Sequence, residues 1–209
     1  MPWSGHRIEQ VCTFTPEMLQ RIAQLYGEIW REPPWNEDFW TVEGVTSDIR
    51  KEMARPHGGM FVANGTRQIH ASELSDDSAG RKPYPSEEER TSLVGFTWGY
   101  EVSQADLREI SGTNGLDHLF SPGVRVFYVD ELGVQRKWRN RGIGSGLSVA
   151  LLEKARAEGL TLATLRTDME AHPARAVYVK LGFTELKVQD ASHEKRTYWA
   201  KELVDRGGN

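Results

Sequence analysis

Three glycines at alternate positions, Gly142, Gly144 and Gly146, impose the strongest constraint on how this chain can fold. They follow an apolar run over 124–134, which predicts a β-strand, and a short basic turn. They also open a segment of helical pattern that extends to 158. A strand, a tight turn and a helix in this order direct backbone N–H groups and the positive end of the helix dipole to one point. The stretch therefore predicts a site for a phosphate group.

Length and composition are typical of one soluble domain. The chain has 209 residues, 38% of them hydrophobic, and we expect a single domain over 1–209 with a polar insertion or loop at 66–90. No apolar run is long enough to span a bilayer and the N-terminus lacks a signal-peptide pattern, so we expect neither a membrane partner nor secretion. The net charge of −4 argues against nucleic acid as the main partner.

The cysteine and the histidines indicate the compartment and argue against a metal site. Cys12 is the single cysteine, which excludes an intramolecular disulfide, favours a reducing cytoplasm and is expected in the core. The histidines have no metal-ligand spacing. The predicted location is cytoplasmic. The sequence leaves the oligomeric state open, with a homodimer as one option.

Hydrophobic periodicity and turn signals divide the chain into strands and helices. Thr15-Pro16-Glu17 is a helix start, and Asn64-Gly65 predicts a turn after a short strand. Strands are predicted at 7–14, 60–63, 92–102, 124–134, 160–166, 183–188 and 195–203, and helices at 15–30, 41–54, 105–110, 142–158 and 173–181. This order gives a mixed α/β sheet.

Two blocks of the sequence carry a resemblance to a known family. Arg139-x-x-Gly142-x-Gly144 resembles the acetyl-CoA-binding signature Gln/Arg-x-x-Gly-x-Gly/Ala of the GCN5-related N-acetyltransferase (GNAT) superfamily. The block from His172 to Phe183, HPARAVYVKLGF, resembles that family's Asn-Pro-Ala-Arg-x-Leu-Tyr-x-x-Leu-Gly-Phe. The resemblance implies an α/β fold with a mixed, mostly antiparallel sheet of six to seven strands. It also implies a splayed central parallel pair and about four flanking helices.

The resemblance implies acetyl-CoA as the cosubstrate and no metal. The residues that it places at the cofactor are Leu132, Gly133, Val134, Arg139, Asn140, Arg141, Gly142, Ile143, Gly144, Ser145, Gly146, His172 and Tyr178. Arg139 and Arg141 would neutralise phosphate groups of CoA, whereas Arg136 and Lys137 are equally well explained as a solvated basic turn. His172 stands where the family commonly has asparagine. It either replaces that cofactor contact or caps the helix that Pro173 begins.

The implied chemistry is acyl transfer from a thioester to an amine. An alkylammonium group has a pKa near 10, so only about one part in a thousand is neutral at pH 7 and a base is needed. Glu131 is the preferred base and Asp130 the alternative, since neighbouring strand residues point to opposite faces and we expect only one to face the substrate. The family assigns the oxyanion donor to the backbone N–H at Val134 and the general acid to the tyrosine at Tyr178.

The acceptor side depends on an aromatic and acidic segment over 31–40. In this family the loop between the first two helices lines the acceptor side, so Trp35 and Glu37 are predicted substrate-binding residues. Trp98 and Glu131, from two predicted strands, complete the predicted set. Each aromatic residue alone is more simply explained by packing. A small-molecule amine is the preferred acceptor, such as an antibiotic, a polyamine or an amino acid. The alternatives are a protein or peptide amine, or a module that binds acyl-CoA without turnover.

Overall fold

The fold is built around one seven-stranded sheet. The computed structural model describes residues 3–67 and 91–203. The strands are β1 (Trp3–Gln10), β2 (Gly59–Arg67), β3 (Thr91–Val102), β4 (Val126–Val134), β5 (Leu162–Asp168), β6 (Thr184–Gln189) and β7 (Arg196–Glu202). The α-helices are α1 (Pro16–Trp30), α2 (Val42–Met53), α3 (Gln104–Ser111), α4 (Ile143–Ala157) and α5 (His172–Lys180). The order in the sheet is β1-β2-β3-β4-β5-β7-β6.

Among the described strands, β4 and β5 form the one parallel pair. Their pairing joins Val126–Val129 to Leu162–Leu165 and ends there. Because β4 continues to Val134 and β5 to Asp168, the two strands diverge and leave a gap between them. The predicted mixed sheet, mostly antiparallel with a splayed parallel pair, is confirmed.

Helices cover both faces of the sheet. Phe96 and Trp98 of β3 pack into the hydrophobic cluster that α1 and α2 form. Val94 of the same strand packs instead with Ile143 and Leu147 of α4. The two layers define an α1/α2 face and an α4 face of the sheet. The gap between β4 and β5 connects them.

The predicted helices agree with the structure to within one residue at each end, and Thr15 caps α1 by accepting a hydrogen bond from the Met18 N–H. The strands differ more. The first was predicted at 7–14, whereas β1 begins at Trp3 and ends at Gln10. Cys12, expected in the core, lies in the exposed connection after β1, so that prediction is wrong. The predicted insertion at 66–90 falls mostly outside the described residues, apart from its first two, which belong to β2.

The turn predicted at Asn64-Gly65 is wrong. β2 runs through both residues and pairs there with β1. The register against β3 shifts between Ala63 and Asn64, which is a bulge. A side chain on Gly65 would overlap the indole ring of Trp138, so glycine is required by close packing at a strand position.

A second bulge lies in β4. Val129 pairs with Gly99 and Glu131 pairs with Trp98, so Asp130 is an extra residue without a partner in the register. A bulge of this kind exchanges the faces to which the following side chains point.

The side chains of β4 show this exchange. Phe127 and Val129 belong to the cluster on the α4 face, and after the bulge Val134 lies on that same face. A side chain on Gly133 would meet Phe96 and Ile29, which lie on the α1/α2 face. Two consecutive residues, 130 and 131, therefore both lie on the α1/α2 face. The expectation that the two acids point to opposite faces is wrong, because it assumed a regular strand.

None of the helices in the described ranges 3–67 and 91–203 is long and apolar enough to cross a membrane.

The close approach of β3 and the bulged strand predicts a strict requirement for glycine at 99. A Cβ atom there would overlap the Tyr128 carbonyl oxygen and the Phe127 ring. We expect Gly99→Ala to lower the free energy of unfolding by about 1–3 kcal/mol, measured by urea denaturation. Gly27→Ala is the matched control, because a Cβ in that helical position meets nothing within 4 Å. It should raise stability by about 0.4–1 kcal/mol, and equal effects of the two substitutions would contradict the assignment.

Candidate active site

A groove of about 510 Å³ lies on the α4 face, where the gap in the sheet opens. The start of α4, one side of α5, the end of β4 and the loop between α1 and α2 line it. Eight of the predicted cofactor residues line this groove: Leu132, Val134, Arg139, Asn140, Gly142, Ile143, Gly144 and Ser145. Gly133, Arg141, Gly146, His172 and Tyr178 are not among its lining residues.

Glycine suits each of the three positions of the turn for a different physical reason. Gly142 is the N-cap of α4 and has a φ of 81°, a left-handed conformation that favours glycine. Gly144 lines the groove, and a Cβ there would make only ordinary contacts, at 3.7 Å with Val134 and 3.9 Å with Val177. A Cβ on Gly146 would approach Ile8 of β1 to 2.6 Å, so this glycine lets α4 pack on the sheet. The N–H groups of the first turn of α4 lie at the groove and suit an anion.

The basic side chains beside the glycines are partly engaged within the protein. Arg139 donates from Nε to the Val134 carbonyl oxygen (2.9 Å) and pairs through Nη1 with Glu32 (2.7 Å). The guanidinium of Arg141 lies over the Trp138 ring, 5.1 Å from its centre. These contacts fix Arg139 at the edge of the groove, with its charge shared between the groove and the 31–40 loop.

The backbone of β4 faces the gap at Val134. Gln135 donates its N–H to the Val94 carbonyl on β3 (2.9 Å). Since successive strand residues direct their backbone groups to opposite edges, Val134 directs its N–H and carbonyl towards β5. The carbonyl there accepts the hydrogen bond from Arg139. The Val134 N–H therefore points into the region where the strands have diverged.

Three carboxyl groups cluster on the α1/α2 face beside the gap. Glu131 accepts a hydrogen bond from the Tyr26 hydroxyl (2.9 Å), and Asp130 accepts one from the Tyr100 hydroxyl (3.0 Å). The third carboxyl group belongs to Glu52 of α2, which accepts from the Trp98 indole N–H (2.7 Å) and is hydrogen-bonded to Asp130.

Burial and mutual repulsion shift the titration of this carboxyl cluster. Burial, together with the charge of Asp130, raises the pKa of Glu52 to about 8. Burial raises the pKa of Asp130, against the hydrogen bonds and cations that favour its charged form. The pKa of Glu131 is raised well above the usual range, first by burial and then by the charge of Asp130. The cluster therefore holds protons at a pH at which exposed carboxylates have lost them.

Sequence reasoning missed Glu52. The signal was present, because Glu52 follows Val45 and Ile49 at helical spacing on the buried side of α2. A carboxyl group on an apolar helix stripe needs a partner, and that partner lies on β4, far away in sequence.

Tyr178 is buried on α5 and packs its ring against Phe183 and Trp199, with ring centres 5.9 and 6.3 Å away. Burial and the charge of Glu131 both raise the pKa of its hydroxyl, so Tyr178 is protonated at neutral pH. His172 has an exposed side chain, and Ala171 is the N-cap of α5, without a side-chain cap. The suggestion that His172 caps the helix is wrong, because it occupies the first helical position.

The 31–40 loop contacts both the groove and β7. Trp35 lines the groove, and the Arg196 guanidinium lies 5.5 Å from the centre of its ring. Glu37 accepts from the Trp40 indole N–H (2.7 Å) and pairs with Arg196 (3.0 Å). The carboxylate of Glu37 is thus occupied by its own protein partners. Trp98 is buried, and its polar atom contacts Glu52.

In the part of the chain that the structure describes, no three histidine, cysteine or acidic side chains are arranged so that they could hold a metal ion, and this includes the carboxyl cluster.

Comparisons with known proteins agree with this geometry. The family model described as "Acetyltransferase (GNAT) family" matches residues 19–183. A search of curated proteins gives no match. Solved structures that are similar in fold include a chain of the NatC complex bound to Gag peptide and CoA (13% identity, TM-score 0.61, covering 96% of this chain and 100% of that chain).

Two further similar structures are Arabidopsis thaliana NAA60 in complex with acetyl-CoA and an aminoglycoside 6′-acetyltransferase type Ii. The first shares 14% identity at a TM-score of 0.61 and covers 95% of this chain and 98% of that chain. The second shares 16% identity at a TM-score of 0.58 and covers 96% of this chain and 99% of that chain. At these identities the likeness shows the fold. Because the family model spans most of its length, the chain belongs to the acetyltransferase (GNAT) family, whose enzymes use acetyl-CoA as cosubstrate.

Proposed function

We propose that this acetyltransferase transfers the acetyl group directly to a primary amine of a small molecule, in a ternary complex without an acetyl-enzyme. The observation that carries the proposal is the position of the carboxyl cluster. Glu131 lies at the gap between β4 and β5, contacts Tyr26 on one side and raises the pKa of Tyr178 on the other. The proposed base, Glu131, and the proposed acid, Tyr178, would thus act from opposite sides of one opening in the sheet.

The groove fits the cosubstrate by its own chemistry. Bound acetyl-CoA supplies an acetyl thioester and a pyrophosphate. The N–H groups at Gly144 and Ser145, in the first turn of α4, would hold the pyrophosphate, with Arg139 and Arg141 as counter-charges. Asn140, Gly142, Ile143 and Leu132 would shape the wall, and Val134 would donate its N–H to the carbonyl oxygen of the thioester.

Glu131 is the proposed base. An ammonium group that enters the carboxyl cluster must lose a proton before its nitrogen can attack. Glu131 can accept that proton once it is itself deprotonated. Tyr178 would then protonate the leaving sulfur, for which its hydroxyl must carry a proton, as its raised pKa ensures.

The small-molecule acceptor is favoured by the aromatic rings that pack around the carboxyl cluster. Tyr26, Trp40 and Trp98 place aromatic rings around the carboxyl groups, with ring centres 5.2 and 6.0 Å from that of Tyr26. Aromatic faces and carboxylates together suit an alkylammonium group. Proteins of similar fold include an enzyme named as an aminoglycoside acetyltransferase and a complex bound to a Gag peptide, which represent both acceptor classes. The acceptor of this protein is therefore identified by experiment.

A panel of amines with acetyl-CoA, followed by thiol release and by mass spectrometry of the acceptor, tests the function. We expect free CoA and a product heavier by one acetyl group with at least one small amine. If only peptide amines are acetylated, the acceptor is a protein or peptide amine and the small-molecule proposal is wrong. Binding of acetyl-CoA with no thiol released by any amine would favour a binding module. The cytoplasmic location stays a prediction, and a homodimer stays one option for the oligomeric state.

Gly144→Asp tests the phosphate site. The new carboxylate would repel the pyrophosphate, and we expect the Kd for acetyl-CoA to rise by about 100-fold or more, measured by calorimetry. Gly144→Ala is the control, because a Cβ fits there at ordinary contact distances. Unchanged binding in the aspartate variant would place the phosphates elsewhere.

Tyr178→Phe tests the general acid. The ring contacts with Phe183 and Trp199 are kept, so we expect kcat to fall by about 100-fold or more while the Kd for acetyl-CoA stays within about twofold. Tyr198→Phe is a matched control, since that buried hydroxyl binds Asp190 and not the cluster. Equal activity of the two variants would assign Tyr178 a packing role.

The raised pKa of Glu131 predicts a pH profile. A base works when deprotonated, so kcat/KM should rise with pH through a value well above the ordinary carboxyl range. Glu131→Gln should lower kcat by about 100-fold or more and remove this limb. Asp130→Asn is the comparison, and a larger loss in that variant would assign the base to Asp130.

A further inference from the structure

We propose that Glu52 is a positioning residue of the acetyl transfer, which donates a hydrogen bond from its protonated carboxyl group to Asp130 and thereby leaves Glu131 free to act on the acceptor amine. The inference rests on the proposed function and adds to it a residue from α2, an element that neither sequence block includes.

The geometry of Glu52 determines what it can do. Its Oε2 atom accepts from the Trp98 indole N–H at 2.7 Å, and its carboxyl group is hydrogen-bonded to Asp130. Trp98 is the register partner of Glu131 on the neighbouring strand. Glu52 therefore contacts side chains of both strands at the bulge, Trp98 of β3 and Asp130 of β4.

Two carboxyl groups can share a hydrogen bond only if one of them carries a proton, because carboxylates have acceptors alone. Burial and the neighbouring acids favour the protonated form of Glu52, whose pKa is about 8. Each of the two carboxyl groups accepts from one further donor, Tyr100 for Asp130 and Trp98 for Glu52, but two guanidinium groups, those of Arg166 and Arg55, favour the charged form of Asp130. The proton therefore lies on Glu52 at neutral pH.

This arrangement separates the roles of the two acids of β4. Asp130 has its charge satisfied by two donors, one from Glu52 and one from Tyr100. Glu131 has a hydrogen bond from Tyr26 and lies at the gap. Of the two, Glu131 keeps the greater acceptor capacity for a substrate proton.

The groups that interact electrostatically with Glu52 come from three elements: Asp48 on α2, Tyr100 on β3, and Asp130 and Glu131 on β4. The cations act on these acids, Arg55 after α2 on Asp130 and Arg166 on β5 on both Asp130 and Glu131, and Tyr26 on α1 donates to Glu131. Arg55 is itself paired with Asp106 and lies over the Tyr100 ring. Two acids, Asp130 and Asp48, disfavour the charged form of Glu52, and an ionised Glu52 would add a negative charge beside Asp130 and Glu131 and make both harder to deprotonate.

Two substitutions separate hydrogen bonding from titration. Glu52→Gln can keep both contacts, because the amide oxygen accepts from Trp98 and the amide nitrogen donates to Asp130, but it does not titrate. Glu52→Ala removes both contacts. Glu43→Gln, which neutralises an exposed acid on the same helix, is the control.

The first measurement is the pH dependence of kcat and KM, with an amine that the acceptor panel identifies. We expect the kcat of Glu52→Gln at pH 7 to lie within about threefold of that of the unsubstituted protein, the parent. The pH profile of kcat in this variant should lack the inflection near pH 8 that the parent shows. Glu52→Ala should lower kcat by about 10- to 100-fold without changing the KM for acetyl-CoA. Coincident profiles of the parent and Glu52→Gln, or full activity of Glu52→Ala, would overturn the proposal. Equal inactivity of both variants would also overturn it, because a charged Glu52 would then be required.

The second measurement needs no acceptor. A carboxyl group whose pKa is raised in the folded state gives stability that is complete below its unfolded pKa and is lost as the pH rises through the folded value. The Tm of the parent should therefore fall relative to that of Glu52→Gln between about pH 5 and pH 8, while Glu43→Gln shows no such trend. A constant difference would overturn the assigned proton. If the parent releases no CoA with any amine, the proposed function fails, whereas an active parent with unresponsive Glu52 variants contradicts this inference alone.

Discussion

The early end of the pairing between β4 and β5 is the constraint on which the rest of the site depends. Four residue pairs hold the two strands together before they diverge. The gap gives the α4 face, with its groove, access to the α1/α2 face, with its carboxyl cluster. A regular sheet would separate these two sets of groups by a layer of paired backbone. The bulge at Asp130 adds to this, since it turns two neighbouring acids to the same side.

Stability and chemistry make opposite demands on this region. Three carboxyl groups share a buried site, and burial disfavours their charged forms. The protein meets this cost with hydroxyl and indole donors from Tyr26, Tyr100 and Trp98, each directed at one carboxyl group. The donors come from α1 and β3, so the core cluster of that face also orients the acids.

Much of the architecture follows from the sequence, because helix caps, apolar periodicity and the glycine turn are local signals. The helices were predicted on this basis, whereas the splayed parallel pair was expected from the family resemblance. The bulge could not be, since Val-Asp-Glu-Leu gives the same alternation whether or not Asp130 is paired. The partners of Glu52 and Glu37 were also beyond local reasoning. Glu37 reaches Arg196 across 159 positions, and only the assembled fold brings them together.

The ion pair between Arg139 and Glu32 has a thermodynamic consequence. One guanidinium contacts the end of β4 and the segment that follows α1. An anion that engages Arg139 changes the environment of Glu32, and a shift of Glu32 changes the field that the anion meets. By thermodynamic reciprocity, if anion binding shifts the equilibrium between two conformations of that segment by some factor, the anion affinities of the two conformations differ by the same factor. Occupancy of the groove and the conformation of the 31–40 loop are thus two terms of one linked equilibrium.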